Sequence, residues 1–373
     1  NQTEAEDGHN LVLSINIGLQ KKIEETMVKK MSEAKLTKGV GIALNPQNGE
    51  ILALVNIPSF NSNDFARGIK VDEYNNLANN PDKPLFNRAI SGEYPSGSTI
   101  KPIMAAAALE EGIINEHTSF LSVGGIKVGQ WFFPDWKAGG HGATNVRKAL
   151  AESVNTFFYY IGGGNDNFNG LGVEKIVEYE KLFGLGAQTG IDLSGEASGF
   201  LPTKEWKEQT KGERWYIGDT YHLAIGQGDI TVTPLQVALY TSVFANGGKI
   251  YRPHLVKEIL SSDDKLIQEV ESLPVKSDFI SANNIKIVRE GMRQTVTAGS
   301  ARSLGDLPVP VAGKTGTAQW SSKKNPHAWF TGFAPYDNPE IVITILVEEG
   351  KEGSTIAVPI AKEVLNWYFS KKN

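Results

Sequence analysis

The chain contains no cysteine. That excludes disulfides, thiolate nucleophiles and cysteine-ligated metals together. It leaves the compartment open, because cysteine-free proteins occur on both sides of a bacterial membrane. Positive charge is not in excess: 37 lysines and arginines face 42 aspartates and glutamates, so no broad basic face exists to attract nucleic acid. No apolar run reaches the roughly 18 residues that would span a bilayer. The opening NQTEAEDGHN is polar and is not a signal peptide. Because the chain opens on Asn, the expectation is an excised or processed piece of a longer protein. Six histidines show no triad spacing, and no repeat or low-complexity tract is visible.

What is present is ordinary globular material. Apolar residues make up 40% and charged residues 21% of 373 positions, with mean hydropathy −0.24, which excludes a largely disordered chain. Leu19, Ile23, Met27 and Met31 recur every four residues and predict a helix from Gly18 to about Met31. Two β-rich runs flank Pro46-Gln47-Asn48-Gly49 and predict a hairpin. Residues 59–97 read as a long surface excursion rich in turn formers. A helix starts near Ser98 with Pro102 in its first turn. Helical patterns then dominate 143–300, including one continuous pattern through VRKALAESVNTFFYYIG. The segment 255–284 reads as a polar hairpin and connector. The C-terminal third turns to strands in VAGKTGTAQW, HAWFTGFAP and EIVITILVEE, and a final amphipathic helix ends on basic residues.

The expected fold class is therefore α+β: one antiparallel sheet built from both chain ends, flanked by helices, with a helical insert between. We read residues 1–373 as a single domain, with 1–12 as a polar lead-in.

Three short motifs carry chemistry. In Ser98-Thr99-Ile100-Lys101 the serine and lysine share a helix face. A desolvated lysine can take the hydroxyl proton, and the N–H of Ser98 at a helix start can donate to an oxyanion. Read blandly, the same residues are a helix cap and a solvated lysine. In Ser153-Val154-Asn155, polar groups among apolar ones suggest proton relay by Ser153 and orientation of Lys101 and substrate by Asn155; the bland reading is a turn between helices. In Lys314-Thr315-Gly316-Thr317, a glycine inside a strand suggests close approach of another backbone, with Lys314 and the hydroxyls meeting a carboxylate; the bland reading is an edge strand with an exposed lysine. No phosphate loop fits, because no G-x-x-x-x-G-K-[ST] precedes a helix.

Together, in this order, the three form the set S-x-x-K, S-x-N, K-T-G of penicillin-recognising serine enzymes. The chain resembles the transpeptidase domain of class B penicillin-binding proteins, most closely the cell-elongation type, through YPSGSTIKP, GHG with ESVNTFFYY, GIDLSGEASGFLPTKEW, WYIGDTYHLAIGQGDITVTPLQVA and AGKTGTAQW. The resemblance implies a peptidoglycan D,D-transpeptidase with that family's fold. Ser98 would be the nucleophile, Lys101 its base, Ser153 and Asn155 the second catalytic element, and Lys314 with Thr315, Gly316 and Thr317 the substrate strand. The backbone N–H groups of Ser98 and Thr317 would form the oxyanion hole. Donors would be stem peptides ending in D-Ala-D-Ala, the acceptor an amine, and β-lactams the inhibitors. No cofactor is implied. A SEDS-type glycan polymerase and elongation-complex proteins would be partners of the parent protein, at the extracytoplasmic face of the bacterial membrane, with an anchor and a pedestal domain preceding this region. Some elongation-type relatives bind zinc through Asp, His and Cys. Here Asp135 and His141 stand alone in FPDWKAGGHG, and we read them as loop-shaping residues with no metal. A serine β-lactamase, a β-lactam sensor and a D,D-carboxypeptidase remain alternatives of the same fold class. The run Phe157–Tyr160 reads as core, Asp219 as a turn cap or floor of the site, and Trp131, Trp136, Trp215 and Trp320 as cleft or core residues.

Overall fold

The two runs around Pro46–Gly49 become the antiparallel strands Gly39–Leu44 and Ile51–Ile57 in the computed structural model, which describes residues 7–66 and 68–371. Three strands from the far end of the chain, Ala312–Ala318, His327–Ala334 and Ile341–Val347, complete one five-stranded antiparallel sheet. The C-terminal strand 341–347 pairs with 39–44, so the two chain ends meet in the middle of the sheet. That leaves 312–318 on one edge and 51–57 on the other.

Period-two alternation divides the sheet residues between two cores. Ile343, Ile345 and Ala43 pack on one face with Leu19, Ile23 and Met27 of the helix Ile17–Glu33 and with Val364 and Leu365 of the helix Ala357–Ser370. Val40, Ile42, Val342 and Leu346 pack on the other face with the helix Pro234–Asn246 and the helical insert. A buried hydroxyl ladder stitches that helix to the sheet: Thr241 meets Thr331 at 2.8 Å, and Thr331 meets Thr344 at 2.8 Å. Each hydroxyl finds a partner, so a polar stripe survives inside an apolar layer.

Three sequence expectations change in detail. The continuous helical pattern 146–162 is two helices, Val146–Ala151 and Asn155–Gly163, broken where Ser153 adopts φ +57°. The excursion 59–97 does not stay at the surface: Arg88, Ala89 and Ile90 are buried, and Arg88 Nε donates to Glu348 at 2.9 Å. Within the supposed lead-in, Asn10–Leu13 is a strand paired with Val256–Leu260, which also pairs with Leu266–Glu269 of the expected polar hairpin; residues 1–6 lie outside the described residues. Among the described residues, no helix is long and apolar enough to cross a membrane.

Ile345 lies fully buried in the central strand against both terminal helices. Ile345→Ala should therefore lower the unfolding free energy by about 2–5 kcal/mol. Urea denaturation checks it: the midpoint should fall with an unchanged slope.

Candidate active site

Ser98 lies in the 3-10 turn Gly97–Ile100, which runs directly into the helix Lys101–Glu110. Pro102 fits because first-turn N–H groups have no intrahelical acceptor. The turn is pressed against the edge strand 312–318. Gly97 has φ +52°, and a Cβ there would stand 2.8 Å from the carbonyl oxygen of Thr317. A Cβ on Gly316 would stand 2.9 Å from Thr99 Cγ2. Both glycines are thus needed for the Ser98 turn and the strand to touch. From behind, Thr99 Oγ1 donates to the Ser96 carbonyl at 2.7 Å and accepts from the Tyr240 hydroxyl at 2.8 Å.

The Lys101 side chain is fully buried and points at the helix break. Its Nζ donates to Asn155 Oδ1 at 2.6 Å and to the Ser153 carbonyl at 2.9 Å, and lies 3.2 Å from Ser153 Oγ. The Phe158 ring centroid is 5.0 Å away, a cation–π contact. The positive φ of Ser153 explains this geometry: the break turns its carbonyl and hydroxyl toward one amine. The break is held by Asp135, whose Oδ2 accepts from Thr156 N at 2.9 Å and Thr156 Oγ1 at 2.7 Å, and whose Oδ1 accepts from Asn155 N at 3.2 Å. A carboxylate at a helix N-terminus also suits the helix dipole.

Lys314 is buried, not exposed, and its Nζ donates to the Thr315 carbonyl at 3.0 Å. Thr315 Oγ1 shares a 2.6 Å hydrogen bond with Ser300 Oγ. Gln227 Nε2 donates to the Thr317 carbonyl at 3.2 Å. Ser98, Ser153, Asn155, Thr315, Gly316 and Thr317 line one cleft of about 330 Å³. The structure thus brings all three motifs together, with Lys101 and Lys314 behind the cleft wall.

Burial sets the protonation of both amines. Desolvation lowers Lys101 to about 7, against a partial opposing pull from the negative charge of Asp135. Lys314 is pushed well below the ordinary lysine range, first by desolvation and then by the neighbouring charge of Lys101.

Sequence reasoning missed several cleft residues. Glu152 lines the cleft and its Oε2 lies 2.7 Å from His141 Nδ1. Its position beside Ser153 was the available signal. Ser300 carried none, since nothing local ties it to a strand 15 residues on. Trp136 lines the cleft, whereas Trp131 is exposed on a separate hairpin strand; Trp320 stacks on His327 and Trp215 is half-buried. Asp219 caps a helix, accepting from Tyr216 N at 2.7 Å and from Lys207 Nζ at 2.6 Å. Phe157, Phe158 and Tyr159 are core residues.

The donor set around His141 does not suit a metal. Its Nε2 faces Asp135 Oδ1 at 3.6 Å, while its Nδ1, on the opposite edge of the ring, faces Glu152. One ion on the Nε2 side would reach one imidazole and one carboxylate, with the Ser122 and Thr156 hydroxyls nearby. Three or four strong ligands are the norm. Among the described residues, no group of three or more His, Asp or Glu could hold a metal.

The Lys314 amine is fully buried with one hydrogen bond among the described residues, so Lys314→Met should stabilise the fold by about 1–3 kcal/mol. A lysine lowered by burial binds fewer protons folded than unfolded below 10.5, so the native chain gains stability as pH rises toward that value. The advantage of the variant should therefore be largest near neutrality and shrink in alkali. Urea midpoints between neutral and alkaline pH check both the sign and the trend.

The penicillin-binding protein transpeptidase domain family matches residues 39–366. A peptidoglycan D,D-transpeptidase MrdA of Haemophilus influenzae is 35% identical over 98% of this chain and 57% of its own length. The chain thus spans little more than half of that relative. Penicillin-binding protein 2 of Pseudomonas aeruginosa, solved with WCK 5153, superposes with TM-score 0.86 at 34% identity, over 97% of this chain and 79% of that one. Penicillin-binding protein 2 of Helicobacter pylori, solved in complex with MreC, superposes with TM-score 0.83 at 33% identity, over 97% and 64%. On this fold, these motifs and this match, the chain belongs to the penicillin-binding protein transpeptidase domain family.

Proposed function

We propose that this chain is the catalytic domain of a peptidoglycan D,D-transpeptidase of the cell-elongation type. The observation that carries the reading is the shared cleft of Ser98, Ser153, Asn155 and Thr315–Thr317, with a buried Lys101 amine bonded to the second motif. Neutral Lys101 takes the Ser98 Oγ proton as the oxygen attacks the penultimate D-Ala carbonyl of a stem peptide. The backbone N–H groups of Ser98 and Thr317 receive the oxyanion. Ser153 Oγ, 3.2 Å from Lys101 Nζ, relays the proton to the departing D-Ala amine. The ester left on Ser98 is then attacked by an acceptor amine, which gives its proton back through Lys101 to the serine. No cofactor enters these steps.

The Thr315 and Thr317 hydroxyls, with the Lys314 amine behind the cleft wall, receive the terminal carboxylate. That anion supplies the counter-charge which burial denies to Lys314, so substrate binding favours its protonated form. The donor backbone adds to the free edge of strand 312–318. β-Lactams present a carbonyl and a carboxylate at similar spacing and acylate the same oxygen.

The parent protein then acts at the extracytoplasmic face of the membrane, held by an anchor and pedestal outside this region. A SEDS-type polymerase and elongation-complex proteins, including a partner of the MreC kind seen with the Helicobacter relative, are the assemblies it would join.

Intact-mass spectrometry after exposure to benzylpenicillin tests the reading: one lasting adduct per chain, none on Ser98→Ala. Rapid turnover with no lasting adduct would instead mark a β-lactamase. The acylation rate should rise with pH and reach half its plateau near pH 7, because Lys101 must be neutral to accept the proton. Stopped-flow acylation from acid to mild alkali checks the limb, and a flat profile contradicts the role of Lys101.

A further inference from the structure

The chemistry above leaves one buried cluster unused. Asp135 has a fully buried carboxylate that accepts hydrogen bonds from Asn155 N, Thr156 N, Thr156 Oγ1 and Trp136 N, with the Ser122 hydroxyl at 3.4 Å. These donors come from two separate stretches of chain, the 122–136 hairpin region and the start of the helix Asn155–Gly163. His141 lies between this carboxylate and Glu152, and Lys148 Nζ donates to the His141 carbonyl at 2.6 Å. Trp136 Nε1 donates to the Glu152 carbonyl at 3.1 Å, so the 135–141 loop grips the residue before Ser153 as well as the two after Val154.

We propose that Asp135 is the positioning residue of the second motif: fixed by the N–H and hydroxyl donors that surround it, it holds the Ser153 carbonyl and Asn155 Oδ1 on the Lys101 amine, and it does so by hydrogen bonds and charge rather than through a bound metal. A helix break with a left-handed serine does not keep its shape unaided. Without the carboxylate, the N–H groups of Asn155 and Thr156 lose their acceptor, and the two acceptors of Lys101 lose their reference point. The two edges of His141 face different carboxylates and do not converge on one ion: Nδ1 is bonded to Glu152, and Nε2, 3.6 Å from Asp135, has no hydrogen-bond partner among the described residues.

The groups facing the Lys101 amine are Asn155 and Ser153, the Phe158 ring, the Asp135 charge and, from the edge strand, Lys314. Asp135 is the negative member and favours the protonated amine; Lys314 opposes it. Removing the Asp135 charge should thus ease deprotonation of Lys101, even as the site is misaligned.

The proposal rests on Lys101 as the base for Ser98, which the Ser98→Ala adduct experiment and the native pH limb test separately. Its own test uses the whole chain dialysed against EDTA, metal analysis by mass spectrometry, thermal midpoints, and benzylpenicillin acylation against pH for the native chain, Asp135→Asn and Thr156→Val. The native chain should carry well under one metal ion and acylate at an unchanged rate. Asp135→Asn should slow acylation on the order of a hundredfold, as misplacement by an ångström can, and should move the rising limb to lower pH. Thr156→Val, which removes the hydroxyl's bond to Asp135 and the one it accepts from Ser122 but no charge, should slow acylation less and leave the limb in place. Stoichiometric zinc with loss of rate in EDTA would overturn the proposal. So would a folded Asp135→Asn with native rate, or with a slower rate and an unmoved limb. If Asp135→Asn does not fold, Thr156→Val at native rate overturns it.

Discussion

Lys101 and Lys314 are buried near one another, and among the described residues neither has an acidic group within salt-bridge distance. Water cannot solvate them, so each amine is stabilised mainly in its neutral form. That constraint costs stability, and in the proposed mechanism it is also the source of reactivity. In the proposed mechanism a solvated lysine would hold its proton and leave Ser98 inert. A lysine paired with a carboxylate would hold it more firmly still. The site instead offers Lys101 neutral acceptors, the Ser153 carbonyl and Asn155 Oδ1, and keeps the nearest carboxylate one layer back.

The surrounding architecture follows from that demand. The helix Lys101–Glu110 is buried along nearly its whole length and is rich in alanine, so neighbouring elements approach closely enough to exclude water. Glycines at 97 and 316 let the Ser98 turn meet the edge strand. The hydroxyl ladder from Thr241 to Thr344 fixes the helix Pro234–Asn246, whose Tyr240 supports Thr99 from behind. The strained serine between two helices delivers two polar atoms to a single amine, and this local cost is offset by the Asp135 cap.

Much of this was legible in the sequence because its signals are local. Period-four spacing located the first helix, the Pro46–Gly49 turn located the hairpin, and alternation marked the C-terminal strands. The motif residues were identifiable because S-x-x-K lies on one continuous turn-into-helix stretch and K-T-G within one strand. The break at Ser153 was hidden, since Ala, Leu, Val and Phe on both sides keep a helical pattern going while a distant carboxylate interrupts it. Ser300 and Gln227 were invisible for the same reason: their roles come from the strand they touch, not from their neighbours in sequence. The burial of Lys314 was likewise a tertiary fact, since a strand pattern alone left an exposed side chain open as its bland reading.

The central claim is that a dry, neutral-acceptor setting lowers the Lys101 amine into the physiological range. Nitrogen-15 NMR of lysine side chains, with the Lys101 signal assigned through Lys101→Arg, measures this directly across a pH titration of the whole chain. The account predicts a midpoint near about 7, and a midpoint near the ordinary 10.5 would contradict it.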